Sequence, residues 1–533
     1  MTTERLTGLD ASFLYMETPT LHMHVSMTAV FDPSTVPGGY SFRRLRRLID
    51  QRIPQVPVFQ RRLVEIPLRL GHPIWVDDPE FDIDNHLRRA ALPAPGGMRE
   101  LAEFAADVNS RRLHRDRPLW EMWIVEGLEG GRIALVAKMH HSTIDGVSGA
   151  ELLGILFDLE PEPAGPPPLP EPLPEGRIPS DLELVSQALV ARAVRPFEIG
   201  KMAWRTGQAV LGVRRLRQRD DGPGKAALPL SAPRTSVNVA ITGRRRVAFA
   251  AASLGDVKRL KNHMGTTVND VVLAMVTGAL RDYLLAGDEL PDIPLVSVVP
   301  VSVTPEVAAL KGSNKVSAMF VQLPTHVADP LERLRLINAG TRGAKEEHQA
   351  LGASTLQNWA EHATPNLFAL AARLYTGMRL ADRHRPIANL VVSNVPGPDF
   401  PLYLGGAEML AGFPLGPVMD GMGLNITIMS YRGVLYWGLV SCARAVPRLW
   451  DIAAAVPRSL EEMMTAAGLA GEPLDVPLHL GPGMPVGGTE APVGGTGGSK
   501  RPAVRGSKVR GSKVGGSKVG GSKVGGSKGS AAS

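Results

Sequence analysis

Between Glu160 and Glu175 the chain reads EPEPAGPPPLPEPLPE. Proline fixes φ and removes a backbone donor, so neither a helix nor a central strand can run through a stretch of that density. The segment reads as an extended, semi-rigid connector. The chain on either side must build its own core, and 533 residues with 44% hydrophobic residues suffice for two substantial domains. Residues 1–158 read as mixed α/β. The apolar run at residues 133–137 predicts a buried strand. Residues 101–113 predict a helix with Leu101, Phe104, Ala105 and Val108 on one face. Residues 235–480 again read as α/β, with a strand over 294–299. A hairpin is expected from 426–430 and 434–440, turning around Tyr431, Arg432 and Gly433. The expected fold class is therefore α/β, with two lobes and a site between them.

Residues 159–234 join the halves as the Pro-rich connector and a helical linker. The helix is expected over 181–217, broken near Pro196, and runs into the basic stretch Arg214–Arg219. Two readings stay open for it: a packed bridging helix with a solvated basic end, or an interfacial helix lying on anionic lipid. Residues 481–533 form a Gly/Ser/Lys/Val tail in which GGSKV recurs, a composition that predicts disorder.

The formal charge of +7 belongs to this tail. No acidic residue follows Glu490, while nine Lys and Arg do, and setting those nine against +7 leaves −2 for residues 1–490. A basic nucleic-acid surface is thus not expected on the body, and no specific nucleic-acid partner is expected. The tail could tether the chain electrostatically to anionic lipid or nucleic acid, or serve only as a solubilising tail of no catalytic consequence. Cys442 is the single cysteine, which excludes a disulfide framework and is compatible with a reducing cytoplasm. Neither a secretory signal nor a run of 18 uncharged apolar residues is found, so any membrane contact is expected to be peripheral.

The most informative segment is Lys138-Met139-His140-His141-Ser142-Thr143-Ile144-Asp145-Gly146. It follows the strand expected at 133–137 and precedes a helix-like run over 147–156, and a strand end opening into a loop is where reactive side chains are presented. Histidine accepts and returns a proton near neutral pH, which is what an alcohol of high pKa needs to become a nucleophile. Asp145 can orient a histidine, hold the loop through a buried charge pair or cap the following helix. Gly146 lets the chain turn tightly. Rival chemistries lack their residues. Ser148 fails the Gly-x-Ser-x-Gly spacing, the one match (Gly525 to Gly529) lies in the tail, and HExxH is absent. His22, His24 and His140 find no further ligands at a usual spacing, so no metal is expected.

His140-His141-Ser142-Thr143-Ile144-Asp145-Gly146 resembles the HHxxxDG signature of the chloramphenicol acetyltransferase-like superfamily. Pro118-Leu119-Trp120-Glu121, Asn269-Asp270, Leu9-Asp10-Ala11-Ser12-Phe13-Leu14 with His22-Met23-His24-Val25, Ser393-Asn394-Val395-Pro396-Gly397-Pro398 and Gly423-Leu424-Asn425 are similar to motifs of the bacterial wax ester synthase/diacylglycerol acyltransferase family. The resemblance covers residues 5–470. It implies a two-lobed chloramphenicol acetyltransferase-like fold with a central channel. It also implies acyl transfer from acyl-CoA to diacylglycerol or a long-chain alcohol, without a further cofactor. His141 would be the base, and His140 and Asp145 would support its loop. The richness in Ala, Gly, Pro, Arg and Val is similar to proteins of high-GC actinobacteria, where triacylglycerol synthesis is the commoner assignment.

Thioester attack creates an oxyanion, and the Asn269 amide is a candidate donor to it. Thr267 and Asp270 can equally form a capping box at a helix start, which would itself favour negative charge. Asp270, Asn394, Asn425 and Trp120 are candidates for substrate contact, with capping, turn, strand-edge and packing roles as the alternatives. The expected location is cytoplasmic, peripheral on the inner membrane face or lipid droplets. Two other readings are a superfamily transferase using a carrier-protein thioester and a non-catalytic lipid-droplet protein.

Overall fold

The structure is a computed structural model that describes residues 4–67, 70–146, 149–162, 227–228, 230–302, 316–351 and 365–471. Residues 1–489 form one compact unit, and residues 490–533 form a second, none of which is among those described. The expected helix at 181–217, most of the Pro-rich connector and the GGSKV tail lie outside the described residues.

The first half runs β1 (Glu4–Arg5), α1 (Gly8–Met16), β2 (His24–Asp32), α2 (Phe42–Arg52), β3 (Arg61–Val64), β4 (Ile74–Asp77), β5 (Leu87–Ala91), α3 (Met98–Ser110), β6 (Trp120–Glu126), β7 (Ile133–His140) and α4 (Gly149–Leu156). The second runs β8 (Arg245–Ser253), α5 (Leu254–Met264), α6 (Val268–Leu285), β9 (Leu295–Ser302), β10 (Val316–Leu323), α7 (Pro330–Leu351), α8 (Pro365–Gly377), β11 (Leu390–Val395), β12 (Tyr403–Leu404), β13 (Ala407–Leu415), β14 (Leu424–Tyr431), β15 (Val434–Cys442) and α9 (Leu449–Ala466). The strand expected at 133–137 extends to His140, and the helix expected at 101–113 sits three residues earlier. The hairpin is β14–β15, and its two turn residues, Arg432 and Gly433, have φ of 46° and 79°. That double positive φ is the primed turn whose twist matches its flanking strands.

Among the described residues two six-stranded sheets result, ordered β12-β13-β2-β7-β6-β5 and β10-β9-β11-β14-β15-β8, with a small β1-β4-β3 sheet. The linear division into lobes at residue 235 is not kept by the strands. β13 comes from the second half yet pairs antiparallel with β2, Met409 opposite Phe31 and Leu415 opposite Ser26. β13 also lies on the other sheet. Phe413 packs on Phe249 with ring centroids 4.4 Å apart, and the hydroxyls of Tyr431 and Tyr436 donate to the carbonyls of Met409 and Leu410, each at 3.0 Å. A Cβ at Gly438 would stand 1.9 Å from the Pro414 carbonyl oxygen, so only glycine lets β15 approach β13 this closely. All nine β15 residues are buried, which is why this strand reads as a continuous apolar run rather than an alternating one.

Candidate active site

β7 ends where its ladder is interrupted. Beyond it the chain enters a 3-10 turn over His141–Gly146. The Thr143 hydroxyl donates to the His140 carbonyl at 2.7 Å and takes that acceptor into the turn. The two histidine backbones are pinned to different neighbours: the His140 N–H donates to Leu119 O at 3.0 Å and the His141 N–H to Met23 O at 2.9 Å. The pair therefore sits where the ends of β6, β7 and β2 converge, with His24 of β2 directly opposite His140.

The His140 ring is buried. Its Nδ1 accepts from the Ser142 backbone N–H at 3.1 Å and lies 2.7 Å from the Ser142 hydroxyl. An N–H can only donate, so a neutral His140 carries its proton on Nε2. That Nε2 has no hydrogen-bond partner and points toward the Glu17 carboxylate, 4.0 Å away. Burial pushes the His140 pKa well below its ordinary 6.5, and the Arg115 and His141 charges add to the shift.

His141 is partly exposed, with its ring against Phe13 of α1, centroids 4.2 Å apart. Its Nδ1 is buried and makes no hydrogen bond of normal geometry. Burial lowers its pKa from 6.5, opposed by its own backbone and by the Asp10 carboxylate. The outcome is a neutral imidazole at pH 7, a ring able to accept a proton.

Around the pair lies a dense set of polar groups whose roles are not written in the local sequence. Glu17 is buried and held by Arg112 and Arg115, Nε to carboxylate 2.9 Å in each case. The Lys138 ammonium is fully buried, donating to Val108 O at 2.7 Å and Arg111 O at 2.9 Å and pairing with Glu121 at 2.7 Å. It thereby satisfies open carbonyls at the C-terminal end of α3. A narrow polar pocket lined by His22, His24, Asn109, Arg245 and Pro417 lies beside the pair and draws on both large sheets. Burial lowers the His22 and His24 pKa values and pushes the Arg245 guanidinium down to about 10. Among the described residues there is no group of three His, Cys, Asp or Glu able to hold a metal ion.

The other expected residues divide. Asn269 is half-buried in the first turn of α6, where backbone N–H groups favour negative charge. Asp270 takes the capping role that the sequence also offered it. Its carboxylate accepts from the Thr267 N–H at 2.9 Å and hydroxyl at 2.8 Å, completing the capping box, and from Asn338 at 2.8 Å and Thr341 at 2.7 Å of α7. Trp120 is likewise packing. Its ring lies between Phe59 and His86, centroids 4.8 and 4.5 Å away, and its N–H donates to Phe59 O at 2.9 Å. The Asn425 amide donates to Pro417 O at 3.0 Å and accepts from the Thr427 hydroxyl at 2.8 Å, and so braces the 416–418 loop. Asn394 is half-buried in β11, opposite Ile428. Gly146 closes the 3-10 turn, and the side chain of Asp145 lies outside the described residues.

Glu17 and Arg245 were not singled out by sequence reasoning. Each becomes informative only through partners far along the chain, and an acidic residue just after a helix or an arginine opening a strand carries no local signal.

With this geometry in place, comparison with known proteins is direct. Residues 6–272 match the wax ester synthase/diacylglycerol acyltransferase catalytic domain, and residues 312–464 match the C-terminal domain of the same family. A Mycobacterium tuberculosis protein named as a putative diacylglycerol O-acyltransferase is 41% identical over 86% of this chain and 90% of its own. The solved wax ester synthase/diacylglycerol acyltransferase from Marinobacter aquaeolei superposes with a TM-score of 0.61 at 31% identity, covering 87% of this chain and 100% of that one. A trichothecene 15-O-acetyltransferase from Fusarium sporotrichioides shares the fold alone, with a TM-score of 0.51 at 13% identity over 87% of this chain and 95% of its own. Two domain matches on one chain, in order, the first spanning the histidine pair, leave one assignment: the chain belongs to the wax ester synthase/diacylglycerol acyltransferase family.

Proposed function

We propose that this protein transfers a long-chain acyl group from acyl-CoA to the free hydroxyl of diacylglycerol, forming triacylglycerol, with long-chain alcohols as alternative acceptors that give wax esters. The observation that carries the chemistry is the His141 ring, held neutral at the end of β7 with Nδ1 turned inward. Nε2 is then the nitrogen left to take a proton. As the acceptor oxygen bonds to the thioester carbon, its proton passes to His141 Nε2 and an oxyanion forms on the former carbonyl. Collapse breaks the carbon–sulfur bond, and the leaving thiolate recovers the proton from the imidazolium, so no acyl-enzyme forms. Asn269, in the first turn of α6, is the proposed oxyanion donor. His140 acts as a positioning residue, its Nδ1 bound to the Ser142 backbone, and Asp145 and Gly146 belong to the same turn. Asn394 is the remaining proposed substrate contact.

The acceptor is a lipid, and we place the enzyme at a membrane or droplet surface inside the cell. Among the described residues no helix is long and apolar enough to cross a membrane, which is consistent with peripheral contact. The test is incubation with palmitoyl-CoA and either diacylglycerol or hexadecanol, with the lipid products separated. Triacylglycerol or wax ester should form with wild type, and His141→Ala should lower turnover by roughly 10²–10⁴-fold. Full turnover by that variant overturns the assignment of the base.

A further inference from the structure

We infer that the outward face of α8 is the surface on which this enzyme sits on anionic lipid. This deepens the acyl-transfer reading above and rests on it for the lipid nature of the acceptor.

α8 packs on the body through one side only. Phe368 lies against Tyr15 of α1, ring centroids 6.3 Å apart, Ala369 is buried, and the Thr376 hydroxyl donates to Asp420 at 2.6 Å. The opposite side should be polar in a helix facing water. Instead it presents Leu367, Leu370 and Leu374, with Met378 just beyond the helix end, at spacings of three, four and four residues. All are at least half exposed, Leu367 at 67%. Other large apolar side chains are exposed as well. Leu228, Leu230 and Ile387 are exposed, and the Leu230 N–H donates to Ile387 O at 3.3 Å. A stripe of exposed leucines along one helix face marks a contact surface.

The charge beside it selects the occupant. Residues 365–387 carry Arg373, Arg379, Arg383 and Arg385 against a single acid, Asp382, which already pairs with Arg379 at 2.7 Å. Arg373, Arg383 and Arg385 are exposed and make no ion pair among the described residues. An apolar helix face with unneutralised guanidinium groups on the same short stretch of chain matches an acyl-chain layer beneath anionic headgroups. A second copy of the chain is a poorer match, because a two-fold contact would set the same arginines against one another without carboxylates to meet them. The position suits the chemistry: α8 rests on α1, and α1 carries Phe13 against His141. A diacylglycerol leaving the surface has one helix layer to pass before the base.

The full chain should therefore co-sediment with vesicles of equal parts phosphatidylcholine and phosphatidylglycerol. At about 1 M salt, where the Debye length is roughly 3 Å, the basic tail no longer contributes and the apolar stripe still does. Combining Leu367→Ser, Leu370→Ser and Leu374→Ser should weaken that partition about a hundredfold and lower turnover of vesicle-embedded diacylglycerol. Turnover of dissolved decanol should be unchanged. Unaltered sedimentation of the triple variant overturns the inference. So does a wild-type dimer that the triple variant dissolves while keeping its vesicle binding, since the stripe would then serve a second copy. A second readout does not depend on the triple variant folding: Leu370→Cys, labelled with a polarity-sensitive fluorophore while the native Cys442 stays buried, should shift to the blue on adding vesicles. No shift again overturns the inference. If wild type turns over no dissolved alcohol, the acyl-transfer reading fails, and the sedimentation result still decides the docking face.

Discussion

Mild acid should destabilise this protein through its buried imidazoles, well before its carboxylates titrate. His24 and His140 face each other across β2 and β7, 4% and 1% exposed, each with a buried ring nitrogen that has no partner. Burial holds both well below their ordinary pKa of 6.5. In the unfolded chain they titrate near 6.5, so below that pH the unfolded state binds more protons than the folded one. Stability is fully present above pH 6.5 and falls as the pH drops toward the folded-state values. Each ring contributes a slope of about 1.4 kcal/mol per pH unit. From pH 6.5 downward stability should therefore fall steadily, the slope approaching its limit as the unfolded rings become fully protonated. Urea unfolding followed by tryptophan fluorescence at several pH values over this range measures the slope. His24→Gln removes one titrating ring, and the slope should fall by about one proton, or 1.4 kcal/mol per pH unit. An unchanged slope in that variant would refute the claim that His24 is held neutral.

Further expectations follow from the same geometry. Because burial lowers the His141 pKa, the acidic limb of the kcat/KM profile should lie below 6.5, and a limb at or above that value contradicts the neutral-base assignment. Gly438→Ala forces a methyl onto the Pro414 carbonyl and should cost about 3 kcal/mol or more, read as a lowered urea midpoint. Lys138→Met leaves the Glu121 carboxylate and two carbonyls of the α3 end without their cation, a loss of about 3–5 kcal/mol measurable in the same way. Deleting residues 491–533 should weaken binding to anionic vesicles at low salt while leaving turnover of a dissolved alcohol intact. Equal low-salt binding by the truncated chain would remove the tail from membrane docking.

What was legible in the sequence is what local chemistry dictates. The apolar run before His140 reads as a strand because its residues are buried on both faces, and the Arg432-Gly433 turn announces its hairpin. Thr267 and Asp270 announce a helix start through the capping pattern. The same locality explains what stayed open. Asp270 carries the capping signature, but its two further bonds to Asn338 and Thr341 depend on a helix that starts sixty residues later. Trp120 and Asn425 sit in recognisable motifs, and a motif says that a residue matters without saying whether it touches a ligand or holds the wall beside it. The pairing of His24 with His140 depends on strand register, which no single segment carries.

The strand supplied by residues 407–415 also sets an order on how the molecule comes into being. During synthesis β2 emerges early, and one of its edges has no permanent neighbour until more than four hundred residues have been made. An unpaired strand edge is a template for wrong partners. The histidine-bearing sheet must therefore wait, unfinished, for the far part of the chain to arrive. A fragment ending at the proline-rich connector should be prone to aggregate, and one supplied with the missing half in trans should recover.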